Sequence, residues 1–283
     1  VYRKVSMEKR IGLIKFTKLL IKRCGEDNIT QYAYHMTYAL LLSFFPFLIF
    51  LTTLIGYSQL DSSVVLTALS DFLPDEVYKL ISGIVIEVVD KQQDGLMPIS
   101  LIFALYAASG GFRAFMRASN RALRTDENRN IIIQHFLSIF WVVLFALGII
   151  LALLGIVFGE YLINLFYEFI KPSGSRKLLH VFRIIIPQVF IFLLFLSFYM
   201  FVPAQKVCFR CAITGAVFTT SAWIIFTMAF QHYVNNYSNY SRFYGTLGAV
   251  VAFMLWLSLT STIMLIGVEI NALLLELKIT TPP

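Results

Sequence analysis

The sequence predicts an all-α integral membrane protein: a polytopic bundle of about six transmembrane helices with an additional amphipathic helix on the outer face. Of the 283 residues, 58% are hydrophobic, only 14% are charged, and the mean hydropathy is +0.77. Soluble domains carry about 25% charged residues. The remaining charges are unevenly shared between alternate connecting segments, as expected of a chain that crosses a membrane in a fixed orientation.

Six mostly apolar runs are candidate membrane helices, because about 20 apolar residues cross a hydrocarbon core of roughly 30 Å. They lie near residues 36–57, 96–112, 132–158, 179–202, 211–231 and 244–270. We therefore divide the chain into a basic N-terminal segment (1–35), a transmembrane domain (36–276) and a short tail (277–283). The first 30 residues carry basic residues throughout and no small-residue cleavage site after an apolar core, so we expect no cleaved signal peptide.

The orientation follows from the positions of lysine and arginine. Sixteen of the 23 basic residues lie in segments 1–35, 113–129, 206–210 and at residue 278, and seven lie in the segments on the opposite side. Basic residues concentrate in cytoplasmic loops. We therefore expect both termini in the cytoplasm, anionic membrane lipids as partners of the net charge of +7, and no nucleic-acid partner.

Two segments outside the spans have helical patterns. In the outer segment 58–95, apolar residues from Val77 to Val88 recur at helical spacing opposite charged ones, and Pro74 suits a first helical turn. This outer helix either packs on the bundle or lines a substrate vestibule. The basic N-terminal segment is also predicted to be helical, and charges around most of its circumference favour a solvated helix.

Small residues predict the helix contacts, because close backbone approach drives helix association in lipid. Two stripes stand out: Gly148, Ala152, Gly155 and Gly159 on the third span, and Gly245, Gly248, Ala249 and Ala252 at the start of the sixth. Packing within the chain is the main interpretation, and homo-oligomer formation through the same stripes is the alternative.

The second span is short and ends in a glycine pair followed by arginines. Such an interruption either exposes backbone groups to a substrate, as in transporters, or simply ends the helix. Pro46 and Pro187 also interrupt apolar runs in the first and fourth spans.

The sixth span carries polar residues that apolar packing does not require. Ser258, Thr262 and Glu269 fall on one face of the helix, and Asn271 follows closely. About 25 residues separate the start of this span from Glu269, which places the carboxylate near the cytoplasmic interface. These four residues either line a substrate path or make structural hydrogen bonds to neighbouring helices or to cytoplasmic arginines.

Several motifs resemble the YihY/BrkB family of bacterial inner-membrane proteins, once mislabelled as a ribonuclease. In TYALLLSFFPFL (37–48), Tyr38, Ser43 and Pro46 match the family, while Thr37 and Ala39 depart from it. Single matches follow at Asn120, Arg129, Tyr199, Pro203, Gly215 and Trp223. The clearest motifs are YGTLGAV and GVEINA, which contain Tyr244, Gly245, Gly248, Gly267, Glu269, Asn271 and Ala272.

This resemblance covers roughly residues 30–275 and implies a six-helix membrane protein suspected of transporting lipids or other amphiphiles. It supplies no mechanism. A non-transporting scaffold or interaction protein of the envelope is the alternative function.

The sequence gives no support for an enzyme, a metal or a cofactor. The four histidines stand alone at His35, His135, His180 and His232, and there is no GxSxG elbow or GxxxxGK phosphate loop. Cys24, Cys208 and Cys211 all map to the predicted cytoplasmic side, so we expect free thiols.

Overall fold

All the regular secondary structure in the described part of the chain is α-helical. The computed structural model describes residues 12–57, 97–170, 176–237 and 246–280, with seven single positions between 66 and 86, and it leaves some side chains within these ranges undescribed, chiefly those of 151–187. Seven helices occupy these ranges: α1 (Leu13–Glu26), α2 (Ile29–Tyr57), α3 (Met97–Ala122), α4 (Ile131–Ile170), α5 (Arg176–Phe201), α6 (Phe209–Tyr237) and α7 (Thr246–Thr280).

Each of the six predicted spans falls on one helix, from α2 to α7. Four stretches within the described residues are long and apolar enough to cross a membrane: Ile29–Leu51, Ile131–Ile150, Phe209–Val234 and Val250–Leu277. Gln188–Phe201 is a shorter apolar helix. Several described helices are therefore long and apolar enough to cross a membrane, whereas the exact number of six stays a prediction.

Helix ends differ from the predicted spans. α2 begins at Ile29, before the first apolar run, and α7 continues to Thr280, beyond the predicted start of the tail. Hydropathy marks the part of a helix that suits lipid, whereas the backbone remains helical through polar residues that tolerate that conformation.

The glycine pair of α3 does not end the helix, so the second of the two alternatives for this pair, a simple helix stop, was wrong. α3 continues through Gly110 and Gly111 to Ala122. A Cβ atom on Gly110 would lie 3.0 Å from the Ser43 hydroxyl oxygen, and the Gly111 N–H donates a hydrogen bond of 2.9 Å to the same hydroxyl. The pair allows α3 to lie close against α2, with which it makes the most extensive helix contact in the described chain.

The bundle has two main apolar clusters. One surrounds Phe115, Tyr199 and Leu265, and the other surrounds Phe50 and Phe253. Large apolar side chains also cover the outside of the helices, with Phe103, Ile132 and Phe136 among the most exposed. An apolar exterior of this kind is expected of helices that face lipid.

The small-residue stripes are only partly described. On α4, a Cβ atom on Gly148 would lie 2.7 Å from Cζ of Phe190 in α5, which agrees with a helix contact within the chain. The contacts of Ala152, Gly155 and Gly159 lie outside what the structure describes. On α7, Gly248 and Ala252 are buried, while Gly245, like Tyr244, precedes the described range and the side-chain environment of Ala249 is not described.

Most of the outer segment 58–95 lies outside the described residues, so its amphipathic helix stays a prediction. The seven single positions that are described there are helical.

The expectation of free thiols was wrong for two of the three cysteines. Cys208 and Cys211 form a disulfide, because the start of α6 brings their Cα atoms to 5.2 Å, within bonding range. Cys24 is a free, half-buried thiol, and its burial raises its pKa to about 11.

Candidate functional site

Arg23 connects three helices at one end of the bundle. It lies in the last turn of α1, which ends where Asn28 adopts the left-handed conformation, at φ 54°, and the chain reverses into α2. Its Nε donates a hydrogen bond of 2.7 Å to Glu269 of α7, and its Nη2 donates one of 3.0 Å to the Ala122 carbonyl at the end of α3. A further ion pair joins Arg23 to Glu276.

The ion pair between Arg23 and Glu269 is buried. The exposed fraction is 8% for the Arg23 side chain and 0% for Glu269. Loss of one partner from a buried ion pair leaves an uncompensated charge and costs about 3–5 kcal/mol. The pair therefore fixes α1 to α7.

Arg124 forms a second set of ion pairs beside the first. Its Nε donates to both carboxylate oxygens of Asp27 at 3.2 Å, and its Nη2 donates to Glu26 at 3.1 Å. The hydrogen bond with Asp27 raises the pKa of Arg124. We refer to Arg23, Asp27, Arg124, Glu269 and Glu276 as the charged cluster.

The backbone at Arg124 is strained in a way that serves these contacts. Its φ is 53°, a region in which glycine is usual after a helix end and other residues cost of order 1 kcal/mol. The N–H groups of Arg124 and Thr125 bond back to the carbonyls of Arg121 and Asn120, closing the last turn of α3. With an arginine at this position, the guanidinium lies beside the Asp27 carboxylate and donates to it.

The loop after α3 is held by Asn120 and Arg129. The buried Asn120 side chain donates to Glu127 at 2.6 Å and accepts a hydrogen bond of 2.8 Å from the Ala204 N–H. Arg129 donates to Glu127 at 2.6 and 2.7 Å and to the Val202 carbonyl at 3.2 Å. The hydrogen bonds from Arg129 lower the pKa of Glu127. The α3–α4 loop and the α5–α6 connection are thereby joined.

A neutral polar core connects α5, α6 and α7. The Tyr199 hydroxyl donates to the Met264 carbonyl at 2.9 Å and lies 2.7 Å from the Thr219 hydroxyl, which must donate because tyrosine has a single O–H. The Asn271 side-chain oxygen accepts a hydrogen bond of 3.0 Å from the Gly215 N–H. We refer to Tyr199, Gly215, Thr219, Gly267 and Asn271 as the polar core.

The polar core requires glycine at two positions. A Cβ atom on Gly215 would lie 2.6 Å from the Gly267 carbonyl oxygen, and one on Gly267 would overlap the Tyr199 and Thr219 side chains. Without these Cβ atoms, α6 and α7 lie close enough for Asn271 to reach the α6 backbone.

Several buried polar atoms have no hydrogen-bond partner among the described residues. On α7 they are Trp256 Nε1, Thr260 Oγ1, Ser261 Oγ, Glu269 Oε1 and Asn271 Nδ2, and on the facing α6 they are the hydroxyls of Thr220 and Thr227. Unpaired polar groups are costly in an apolar interior and each one calls for an explanation.

The predicted site residues separate into two groups. Glu269 and Asn271 are buried, in the charged cluster and the polar core respectively. Ser258 and Thr262 are half-buried, and the Thr262 hydroxyl donates to the Ser258 carbonyl at 2.8 Å within the same helix. A role for these four residues in a substrate path stays a prediction.

The family-motif residues of α2 also occupy defined positions. Ser43 is buried against α3, Pro46 lies inside α2, and Tyr38 is exposed on the surface. The structural alternative included arginines of the predicted cytoplasmic side as partners, but Arg23, Arg124 and Thr219 were not identified individually, since nothing in their local sequence distinguishes them from other polar residues. Across the part of the chain with described side chains, no three His, Cys, Asp or Glu residues are grouped as metal ligands.

A cavity of about 500 Å³ opens beside the charged cluster. Its lining comes from the end of α3 and the following loop, together with one residue after α1: Asp27, Arg117, Asn120, Arg121, Arg124, Thr125, Asp126 and Glu127.

Comparison with known proteins identifies the family. Residues 20–281 match the family model described as virulence factor BrkB. The ribonuclease-like protein YfkH of Bacillus subtilis is 33% identical over 94% of this chain and 97% of its own length. A UPF0761 membrane protein of Alteromonas mediterranea is 32% identical, over 91% and 87% respectively. No solved structure matches the chain. The chain therefore belongs to the virulence factor BrkB family of membrane proteins.

Proposed function

We propose that this protein transports a lipid or another amphiphile with a polar head group across the bacterial inner membrane. One observation carries the proposal: α7 holds buried, unpaired polar atoms on Thr260, Ser261, Glu269 and Asn271, inside a stretch long and apolar enough to cross a membrane. Polar groups at such depth are expensive, and they commonly mark the path of a polar substrate or ion.

In this proposal, the face of α7 that carries Ser258, Thr262 and Glu269 offers hydrogen bonds to a head group while the lipid tail stays in the bilayer. Thr262 and Ser258 extend the polar positions toward the other end of α7, about two and three turns before Glu269. The distribution of basic residues predicts cytoplasmic termini, and in this orientation the charged cluster lies at the inner end of the proposed path.

A non-transporting scaffold is the second candidate function, and the buried contact between Arg23 and Glu269 favours it. That contact gives the carboxylate a structural partner, as expected of a residue that anchors a helix end. Nuclease activity is not part of either proposal, because the sequence lacks paired metal-binding histidines and phosphate-binding loops.

Reconstitution in vesicles tests the two functions directly. Purified protein is incorporated into vesicles with a fluorescent phospholipid, and the exchange of label between leaflets is followed with a membrane-impermeant quencher. Transport predicts faster exchange than in protein-free vesicles, and equal rates contradict it.

Ser258→Ala and Thr262→Val identify the path better than a change at Glu269, because neither hydroxyl contributes to the charged cluster. We expect both variants to retain the thermal stability of the parent protein and to slow exchange. Unchanged exchange in both variants argues against a path along this face of α7.

A further inference from the structure

Three arginines line one wall of the cavity beside the charged cluster. Arg117 and Arg121 lie one turn apart in the last two turns of α3, and Arg124 follows in the loop. Arg113 lies one further turn back along the same helix, where it bonds to the hydroxyls of Ser109 and Ser138. Like charges at this spacing repel each other unless an anion lies between or over them.

The carboxylates of the cavity are largely neutralised by other residues. Asp27 is held by Arg124 and also lies 3.8 Å from Arg23, and Glu127 is held by Arg129. Asp126 is the acidic lining residue that has no such partner among the described residues.

Arg117 and Arg121 differ from the other arginines of this region. Both side chains are exposed, and neither has a hydrogen bond or ion pair to any residue that the structure describes. Two guanidinium groups are therefore available to a ligand, facing a wall whose other charges are mostly paired.

The wall around these two arginines is rigid. Asn120, which lies between them in α3, is 4% exposed and uses both its amide nitrogen and its amide oxygen in hydrogen bonds. Thr125 donates to Gln205 at 2.6 Å, so the loop is also tied to the α5–α6 connection. A fixed wall binds a ligand without first having to become ordered.

These observations specify the chemistry of the ligand. A guanidinium presents a planar set of N–H donors that matches two oxygens of a phosphate, and two such groups one helical turn apart can hold one phosphate between them. A cavity of about 500 Å³ also has room for the group to which the phosphate is attached.

We infer that this cavity binds a phosphate group through Arg117 and Arg121, carried either by an anionic phospholipid head group or by a small phosphate-containing solute. The location favours the lipid source, because the end of a membrane helix is where head-group phosphates lie. The inference does not depend on transport, since a scaffold could use the same site.

The test measures binding with the full chain purified in a zwitterionic detergent. The probe is a fluorescent phosphatidic acid, with inorganic phosphate as the competitor. The double variant Arg117→Gln/Arg121→Gln removes the proposed ligands from exposed positions, so its fold and thermal stability are expected to be unchanged. The matched control Lys206→Gln/Arg210→Gln removes two exposed basic residues from the α5–α6 connection and the start of α6, outside the cavity.

We expect the Arg117/Arg121 variant to weaken lipid binding about tenfold or more, as charge-assisted hydrogen bonds imply, and the control to change it less than about twofold. Displacement of the lipid by millimolar inorganic phosphate identifies a site that recognises the phosphate group alone. Lack of displacement identifies a site that needs the lipid, and both results support the inference. Equal affinities in the parent and the Arg117/Arg121 variant, or equal losses in that variant and the control, overturn it.

Discussion

Glu269 is the residue in which structural and functional interpretations meet. One carboxylate oxygen accepts from Arg23, and the other has no partner among the described residues. The neutral variant Glu269→Gln therefore does more than remove a charge from a path, because it also removes the buried carboxylate with which Arg23 pairs in α7. A loss of transport in this variant is informative only beside a stability measurement.

A double-mutant cycle separates these effects. We expect Arg23→Gln to lower the stability of the purified protein by about 3–5 kcal/mol, because it leaves Glu269 buried and unpaired. We expect Glu269→Gln to lower it less, because Arg23 keeps its ion pair with Glu276. The double variant should lose much less than the sum of the two, since neither charge then remains. Thermal or denaturant unfolding in detergent measures the three values, and additive losses would show that the two side chains do not interact.

Glu127 provides a prediction about pH. Hydrogen bonds from Arg129 hold the pKa of Glu127 below its ordinary value of 4.5, so the folded state favours the carboxylate. The resulting stabilisation is fully present above the ordinary pKa and is lost as the pH falls through the lower, folded-state value. We expect the parent protein to be more stable than Glu127→Gln by about 1 kcal/mol at pH 7.

The difference in Tm between these two proteins should shrink as the pH is lowered below about 4.5. Scanning calorimetry or fluorescence unfolding from pH 7 to pH 3 measures it. A difference that stays constant over this range would mean that Glu127 does not titrate differently in the folded and unfolded states.

At the scale of helices, α6 and α7 approach each other closely at Gly215 and Gly267, where a Cβ atom on Gly215 would lie 2.6 Å from the Gly267 carbonyl oxygen. This contact lies outside the small-residue stripes that were predicted on the third and sixth spans, although the family resemblance includes both glycines. Asn271 explains why this contact is specific, since its side chain bonds the α6 backbone at the point where the helices meet.

We expect Gly215→Ala to lower the Tm by several degrees, because the new Cβ atom would lie 2.6 Å from the Gly267 carbonyl oxygen and would force the helices apart. Gly25→Ala in α1 is the matched control, since nothing lies within 4 Å of its Cβ position. That substitution should leave stability unchanged or raise it by about 0.5–1 kcal/mol. Equal Tm values for the parent and Gly215→Ala would place the two helices further apart than described.

At the scale of the whole molecule, the segments predicted to share one side of the membrane do lie together. Arg23, Ala122, Arg129, Val202 and Glu269 come from the N-terminal segment, the α3–α4 loop, the α5–α6 connection and the end of α7, and hydrogen bonds link them at one end of the bundle. This grouping agrees with the distribution of basic residues. The prediction that this end of the bundle faces the cytoplasm rests on that distribution alone.

Cysteine-accessibility labelling tests the orientation. In a variant with Cys24, Cys208 and Cys211 replaced by serine, single cysteines are introduced near Asp71 and Arg121. The residue near Asp71 should react with a membrane-impermeant maleimide added from outside intact cells, and the one near Arg121 only after the membrane is opened. A cysteine near Asp71 that reacts from the cytoplasm alone contradicts the predicted orientation.

Local sequence was sufficient for the class of fold and for the approximate position of each helix. Lipid offers no hydrogen bonds to a backbone, so a long apolar run has to satisfy its own N–H and C=O groups and becomes a helix wherever it crosses the membrane. The same reasoning failed at helix ends, as at Gly110 and Gly111, because a glycine pair between two packed helices resembles a stop signal in the sequence.

The sequence by itself determined a helical membrane protein with an asymmetric distribution of charge, and it identified Glu269 and Asn271 as unusual. Only the tertiary structure decided their partners, since Arg23 lies 246 residues before Glu269 and Gly215 lies 56 residues before Asn271. In a membrane bundle nearly every face of a helix is apolar, so periodicity does not distinguish the face that meets lipid from the face that meets another helix. Which helices become neighbours depends on the packing of small and large side chains throughout the bundle, and that packing places an arginine from one segment against a carboxylate from another.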